Sequence, residues 1–280
     1  MVIMILDVVN PFSGFEYRYF IYAFIALILL SLILPILGIR LASKGYSMIA
    51  DTLSHTSLAG IAIGIISGGL PILYAIIMSV IGAIILEIIR IKLPKYSSIG
   101  LTIILALSLG IVGIISGFVN SNFDKYLFGS LLTISNSDLI ILSIIVGITL
   151  IYEVLFKRSN MKIAYNEVEA KALGIKVNLL SLLDCVIISI AVAISCKIIG
   201  SLLVTSFISI PVVFALKSAK SSRSADFFAI FFSLITSIIG LFIGYSFNLH
   251  IGGTIVLFAI LVLFISFIFD IAKFKKKKQK

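Results

Sequence analysis

The sequence predicts an all-α polytopic membrane protein with about nine transmembrane helices, and three observations support this. First, 61% of the 280 residues are hydrophobic, only 12% are charged, and the mean hydropathy is +1.26, well above what soluble domains need. Second, apolar runs of about 20 residues, the length that crosses a bilayer as a helix, recur along the chain. Third, basic residues cluster between alternate runs, as in the cytoplasmic loops of membrane proteins.

Nine apolar segments form the predicted spans. They lie at about 17–39, 48–68, 70–89, 98–118, 138–156, 179–195, 198–216, 225–247 and 251–271. Only Cys196–Lys197 separates the sixth segment from the seventh, and Pro35 and Gly38 interrupt the end of the first, so eight spans is the nearest alternative. Few polar residues remain for a soluble region. We therefore expect a single membrane domain over residues 1–280, embedded from about 17 to 272.

The distribution of Lys and Arg orients these spans. With nine spans, five basic regions fall on one face, namely 40–47, 90–97, 157–178, 217–224 and the tail 273–280. All of the 22 Lys and Arg residues except Arg18, Lys125 and Lys197 lie in these regions. Cytoplasmic loops carry the excess of basic residues, so we assign this face and the C-terminal tail to the cytoplasm. The formal net charge of +10 then reflects membrane orientation.

The second span carries an ionisable pair. Asp51 and His55 are four residues apart in Ser47–Gly64, which places both on one face of a helix. Ionisable side chains are costly inside an apolar span, and a carboxylate with an imidazole is a usual ligand set for a divalent transition metal. One helix supplies only two ligands, so others would come from elsewhere in the chain, a second copy, a partner or water. The alternative is that Asp51 is solvated near the cytoplasmic boundary while His55 hydrogen-bonds a neighbouring helix.

Other features of the spans carry weaker signals. Gly60 and Gly64 form a GxxxG pattern, which predicts close approach of another helix. Asp184 lies a few residues inside its span, where it would pair with a neighbour or stay neutral. The longest external connection, 119–137, contains the apolar stretch Tyr126–Ile134, which is too short to cross and fits a re-entrant or interfacial helix.

The longest cytoplasmic connection, 157–178, contains a predicted short helix. Its defining residues are Asn166, Glu167, Glu169, Ala170 and Gly174. The asparagine can cap the first turn, the two glutamates in that turn favour the helix dipole, and the glycine can end the helix in the left-handed conformation. Such a helix either docks a soluble partner or is a solvated part of the loop, and its composition leaves both open.

Signatures of catalysis are absent from the sequence. There is no G-x-x-x-x-G-K-[ST] phosphate loop, no H-E-x-x-H motif and no G-x-S-x-G nucleophile elbow. We therefore expect that the chain is not an enzyme and does not hydrolyse nucleotides itself. The basic residues also lack an aromatic-rich groove, which argues against nucleic acid as a partner.

Four stretches, taken in order, carry a resemblance to a known family. They are Ile49–Gly60 (IADTLSHTSLAG), Tyr126–Leu139 (YLFGSLLTISNSDL), Tyr165–Ile175 (YNEVEAKALGI) and Ile198–Leu216 (IIGSLLVTSFISIPVVFAL). Together they are similar to segments of the zinc/manganese-type permeases of ABC importers, over nearly the whole chain after residue 17. Two departures concern Ala50 and Ala59, which replace a glycine and a proline of the family pattern. A third is Asn248–Gly252, which reads NLHIG where the family has D-x-P-S-G, so an external carboxylate is lost at Asn248 and an imidazole is added at His250.

The resemblance implies a permease subunit of an ATP-driven importer that moves Zn²⁺ or Mn²⁺, with Fe²⁺ as a further candidate, across the cytoplasmic membrane by alternating access. Asp51 and His55 match the positions that coordinate the metal in the translocation path. The metal is the transported substrate, and no permanent cofactor is implied. Residues 166–174 match the segment that couples to an ATP-binding subunit. The implied partners are that cytoplasmic subunit, an extracytoplasmic metal-binding protein, a second copy of the chain and membrane lipid.

A rival hypothesis from the same residues is a proton- or ion-coupled secondary transporter that works without an ATPase. In that case Asp51, His55 and Asp184 would form a relay across the membrane. The two hypotheses differ in whether residues 166–174 contact an ATPase and in whether transport requires nucleotide.

Overall fold

The computed structural model describes residues 11–45, 48–118, 129, 131 and 134–278, with side chains over the part from 14 to 268. Ten α-helices follow one another in these residues, and no strand occurs among them. They are α1 (Arg18–Ser43), α2 (Ile49–Ile66), α3 (Pro71–Lys92), α4 (Ser97–Ser116), α5 (Asn136–Tyr165), α6 (Glu167–Ala172), α7 (Val177–Ile199), α8 (Ser201–Ser218), α9 (Ser222–Ser246) and α10 (Ile251–Lys278). Short 3₁₀ helices at Pro11–Glu16 and Pro94–Tyr96 precede α1 and α4.

Nine helices of this described chain are long and apolar enough to cross a membrane, which confirms the predicted all-α membrane fold and its count of spans. The exception is α6, which has six residues. The predicted re-entrant element at Tyr126–Ile134 lies outside the described residues, apart from Gly129, Leu131 and Ile134. Of the basic tail, the backbone of α10 is described as far as Lys278.

Three predicted boundaries differ from the structure. The first span is not interrupted, because α1 continues through Pro35, and Gly38 instead provides space for the backbone of α8 at Ile208. The break between the sixth and seventh spans is not at Cys196–Lys197 but at Gly200. Its φ of 83° is a conformation that glycine adopts readily and residues with a side chain rarely do. The fifth span does not end at 156, because α5 runs on to Tyr165 and occupies the first part of the predicted connection.

Helix packing places α2 in the interior. It packs against α3, α4, α7 and α8, while α1 packs against α5, α8 and α9. Most residues of α2 are buried, whereas α4 is largely exposed on its outer faces, as expected of a helix that faces lipid. The candidate metal pair therefore lies on one of the best enclosed helices of the described chain.

The GxxxG pattern of α2 produces the predicted close helix contact. A Cβ added at Gly60 would lie 2.8 Å from the Cα of Ala75 and closer still to the carbonyl oxygen of Tyr74, both in α3. A Cβ at Gly64 would lie 2.8 Å from the Cα of Pro71. Since backbone atoms of α3 fill these positions, the two helices can pack at this distance only where α2 has no side chain.

We expect that Gly60→Ala destabilises the protein by about 1–3 kcal/mol, because the added methyl group forces α2 away from α3. Thermal unfolding of detergent-purified protein measures this change. Gly113→Ala in α4 is the matched control, since nothing lies within 4 Å of a Cβ there. Equal melting temperatures for the two variants would show that the close α2–α3 contact is not required.

Candidate metal site and coupling helix

Asp51 and His55 lie together near the start of α2. Nε2 of His55 is 3.6 Å from Oδ1 of Asp51. The side chain of His55 is 20% exposed and that of Asp51 is 45% exposed. Ligand atoms bound at 2.0–2.2 Å to one tetrahedral ion are roughly 3.4 Å apart. The predicted pair therefore has a spacing that suits two ligands of a single divalent ion.

The environment of His55 leaves its imidazole available. Within the part of the chain that the structure describes, the buried Nδ1 has no hydrogen-bond partner. Nδ1 therefore does not make the hydrogen bond to a neighbouring helix that the alternative for His55 requires. The partial exposure of Asp51 allows it to contact solvent or an arriving ion.

The described residues supply no third protein ligand. No group of three or more His, Cys, Asp or Glu side chains that could hold a metal occurs among them. A neighbouring hydroxyl on the helix, Oγ of Ser54, is buried and donates to the backbone carbonyl of Asp51 at 2.8 Å. A metal bound by Asp51 and His55 would complete its coordination from water, a second copy, a partner or residues outside the described ranges.

Asp184 is not part of this pair. It is buried in α7 and accepts from Nζ of Lys44 at 2.7 Å and from the guanidinium of Arg40. Arg40 also pairs with Glu153 of α5 and lies over the ring of Tyr152, 5.2 Å from its centroid. Of the two alternatives for Asp184, the structure shows the pairing, and its partners are Arg40 of α1 and Lys44, which directly follows that helix.

Sequence reasoning missed Arg40, Lys44 and Glu153. We counted the two cations as loop charges, but α1 extends to Ser43 and carries Arg40 into the protein interior. One signal was available, because Arg40 and Lys44 are four residues apart and so share a face. The position of Glu153 opposite that face depends on packing between α1 and α5.

A cavity of about 460 Å³ lies between α1, α5, α8 and α9. Both carboxylates of its lining pair with cations of the lining, Glu153 with Arg40 and Asp226 with Lys157, and Lys220 adds a further positive charge. Neither Asp51 nor His55 lines it. Because its carboxylates are neutralised by fixed cations, this cavity is a poorer metal site than the α2 pair.

The predicted short helix is present as α6. Oδ1 of Asn166 accepts from the backbone amides of Val168 and Glu169 at 3.0 and 3.3 Å, which is the predicted N-cap. Gly174 has a φ of 78°, and the amides of Gly174 and Ile175 donate to the carbonyls of Lys171 and Ala170. The left-handed conformation expected for the glycine is present, and the two hydrogen bonds form a Schellman motif.

The surroundings of α6 favour contact with another protein. Ala170 is buried against Ile163 and Val177, at the ends of the helices on either side. Large apolar side chains nearby are exposed, namely Tyr165, Val168 and Leu173. A short, well-capped helix with exposed apolar groups suits insertion into a groove of a partner.

The chain is similar over most of its length to known membrane proteins of metal transport. The model of the ABC 3 transport family matches residues 16–270. The chain is 28% identical over 248 residues to the manganese import system permease protein ScaB of Streptococcus gordonii, covering 88% of this chain and 89% of that one. It is 29% identical over 256 residues to the high-affinity zinc uptake system membrane protein ZnuB of Haemophilus influenzae, covering 90% and 95%.

A solved structure shows the same fold. PsaBC from Streptococcus pneumoniae, determined in complex with Fab, aligns with a TM-score of 0.81 and 28% sequence identity. The alignment covers 92% of this chain and 94% of that one.

Proposed function

This chain belongs to the ABC 3 transport family, and from that premise we propose that it is the permease subunit of an ATP-driven importer of Mn²⁺ or Zn²⁺. In such transporters the ATPase is a separate subunit, so the chain itself is a membrane protein of the transport machinery and not an enzyme. Relatives named for manganese import and for zinc uptake both align over most of the chain. Fe²⁺ remains a third candidate because oxygen and nitrogen ligands suit it as well.

The observation that carries the proposal is the Asp51–His55 pair. Two ligand-type side chains 3.6 Å apart, one of them with an unpartnered buried nitrogen, lie on a helix enclosed by four others. A two-ligand site holds an ion weakly compared with a four-ligand structural site. Weak holding suits transport, because the ion must leave as well as enter.

The remaining parts of the proposal concern partners and movement. Residues 166–174 would dock on a cytoplasmic ATPase subunit, and an extracytoplasmic metal-binding protein would deliver the ion. Two copies of this single-domain chain would face each other in the lipid bilayer, with their C-terminal tails in the cytoplasm. ATP binding and hydrolysis would switch the path between outward and inward access, which requires two states with different contacts to the ion.

The secondary-transporter hypothesis has less support. It needs Asp184 as a relay partner of His55, whereas Asp184 is held by Arg40 and Lys44. Arg40 donates to Oδ1 of Asp184 and Lys44 donates to Oδ2, so both carboxylate oxygens already have cationic partners. Family membership points the same way.

ATP-driven uptake tests the proposal directly. We expect proteoliposomes that contain the chain, its ATPase subunit and its binding protein to accumulate radioactive Mn²⁺ or Zn²⁺ only when ATP is supplied on the ATPase side. Vesicles without the ATPase subunit and vesicles with a non-hydrolysable ATP analogue are the controls. Equal uptake without ATPase or ATP would overturn the importer and favour the secondary transporter.

A further inference from the structure

Arg90 and Glu87 at one end of α3 have no role in the function proposed so far. Arg90 donates from Nε and Nη2 to the carboxylate of Glu87, at 2.9 and 2.5 Å, within α3. Its Nη1 donates to Oε1 of Glu167, the first residue of α6, at 2.5 Å. The guanidinium of Arg90 thus bridges α3, a membrane helix, and α6, the short helix proposed to dock on the ATPase subunit.

The inner end of this bridge is fixed. The side chain of Glu87 is only 2% exposed, and that of Arg90 is 10% exposed. Sγ of Cys185 in α7 also donates to Oε2 of Glu87, at 3.5 Å. Movement of Arg90 away from Glu87 would leave a buried carboxylate without its cation, which is strongly unfavourable. Arg90 and Glu87 therefore move with α3 as one unit.

The outer end of the bridge reaches a helix that is otherwise held locally. Ala170 packs α6 against Ile163 and Val177, which belong to the helices directly before and after it in the chain. The Arg90–Glu167 pair instead connects α6 to a helix 77 residues away in sequence. The side chain of Glu167 is 43% exposed, so water can solvate its carboxylate when α6 moves away from Arg90.

Movement of α3 would reach the candidate metal pair through close packing. Backbone atoms of α3 fill the space above Gly60 of α2. Further along, a Cβ at Gly82 of α3 would lie 3.0 Å from Cγ2 of Thr56, the residue that follows His55. Tightly packed helices transmit displacement because their contacts cannot be compressed.

We propose that Arg90 is a positioning residue that transmits movement of α6 to α3 and thereby to the Asp51–His55 pair on α2. The inference rests on the proposed function in one respect, namely that an ATPase subunit moves α6. The new element is the route from α6 through Arg90 to α3 and α2. Arginine suits this position because its planar guanidinium can hydrogen-bond two carboxylates at once, in a forked geometry that the ammonium group of lysine lacks.

Arg90→Lys is the informative substitution. Lysine keeps a cation beside buried Glu87, so the variant should fold, but it loses the fork that also holds Glu167. Glu167→Ala removes the same link from the other side and leaves Arg90–Glu87 intact. Lys92→Ala, which removes an exposed charge from the same end of α3, is the control.

Hydrogen–deuterium exchange of the complex with its ATPase subunit gives a readout that does not require transport. In wild type and Lys92→Ala, ATP binding should change amide exchange in α6, in the end of α3 around 84–92 and in the start of α2 around 49–56. In Arg90→Lys the change should stay in α6 and be lost from α3 and α2. An unchanged response of α2 in Arg90→Lys would overturn the inference.

Uptake separates this inference from the proposed function. We expect Arg90→Lys and Glu167→Ala each to lower the metal moved per ATP hydrolysed by roughly fivefold or more, and the double variant to lose no more than either single variant. A double variant with multiplied losses would show that the two residues act separately. Wild type that responds to ATP in α2 but moves no metal would overturn the proposed substrate and leave the role of Arg90 standing.

Discussion

Asp51→Asn and His55→Ala should each reduce ATP-driven metal uptake at least about 100-fold. Changes to groups that merely support a metal ligand already cost about 10–100-fold in metal affinity, and these substitutions remove the ligands themselves. Asparagine keeps the size of Asp51 but lacks its negative charge, and alanine removes the imidazole entirely. Either loss leaves only one of the two candidate ligands that the described part of the chain places on α2.

The measurement is initial-rate uptake of radioactive Mn²⁺ and Zn²⁺ in the reconstituted complex, at matched protein content. Glu16→Gln is the control, because it neutralises an exposed carboxylate outside the spanning helices. ATP hydrolysis and assembly with the ATPase subunit should stay intact in both α2 variants, since α6 packs against the ends of α5 and α7. Uptake at the wild-type rate in Asp51→Asn or His55→Ala would remove the pair as the metal site, whatever the transported ion.

The parts of the molecule that the sequence predicts well are those set by local chemistry. Helices of about 20 residues follow from the length of apolar runs, because a backbone in lipid must satisfy its own hydrogen bonds. Asp51 and His55 come together because they are four residues apart on one helix. Asn166 and Gly174 begin and end α6 through bonds to amides and carbonyls within a few residues.

The sequence predicts poorly the contacts that depend on which helices are neighbours. In a soluble helix, one apolar stripe shows the buried face, but a membrane helix is apolar on all sides and hides that information. The contacts of Arg40 with Glu153 and of Arg90 with Glu167 join residues far apart in sequence. From the sequence, the charge of Lys197 suggested that the sixth span ends there, but α7 continues to Ile199. The charge is accommodated because Asp138, at the start of α5, pairs with Lys197 at 2.5 Å.

The second large effect concerns stability. Arg40→Met should destabilise the protein by about 3–5 kcal/mol, because it leaves Glu153 without its cation in the interior. Arg40, Lys44, Glu153 and Asp184 form a neutral group of two cations and two carboxylates that joins α1, α5 and α7. After the substitution, buried Asp184 still has Lys44 as a partner, but Glu153, which is only 13% exposed, has lost its cation. Arg158→Met, which removes an exposed cation from α5, is the control and should change little.

The double variant Arg40→Met, Glu153→Met distinguishes charge balance from packing. Its remaining partners, Lys44 and Asp184, are 2.7 Å apart and neutralise each other, so we expect it to recover much of the stability that Arg40→Met loses. Replacing a complete buried ion pair by apolar side chains is often neutral, whereas removing one partner is not. Thermal unfolding in detergent of the four proteins of this cycle gives the coupling between the two sites. A double variant that loses as much as the two single variants combined would mean that Arg40 stabilises α1 through its packing on Tyr152, and that the charge of Glu153 is tolerated by solvent in the adjoining cavity.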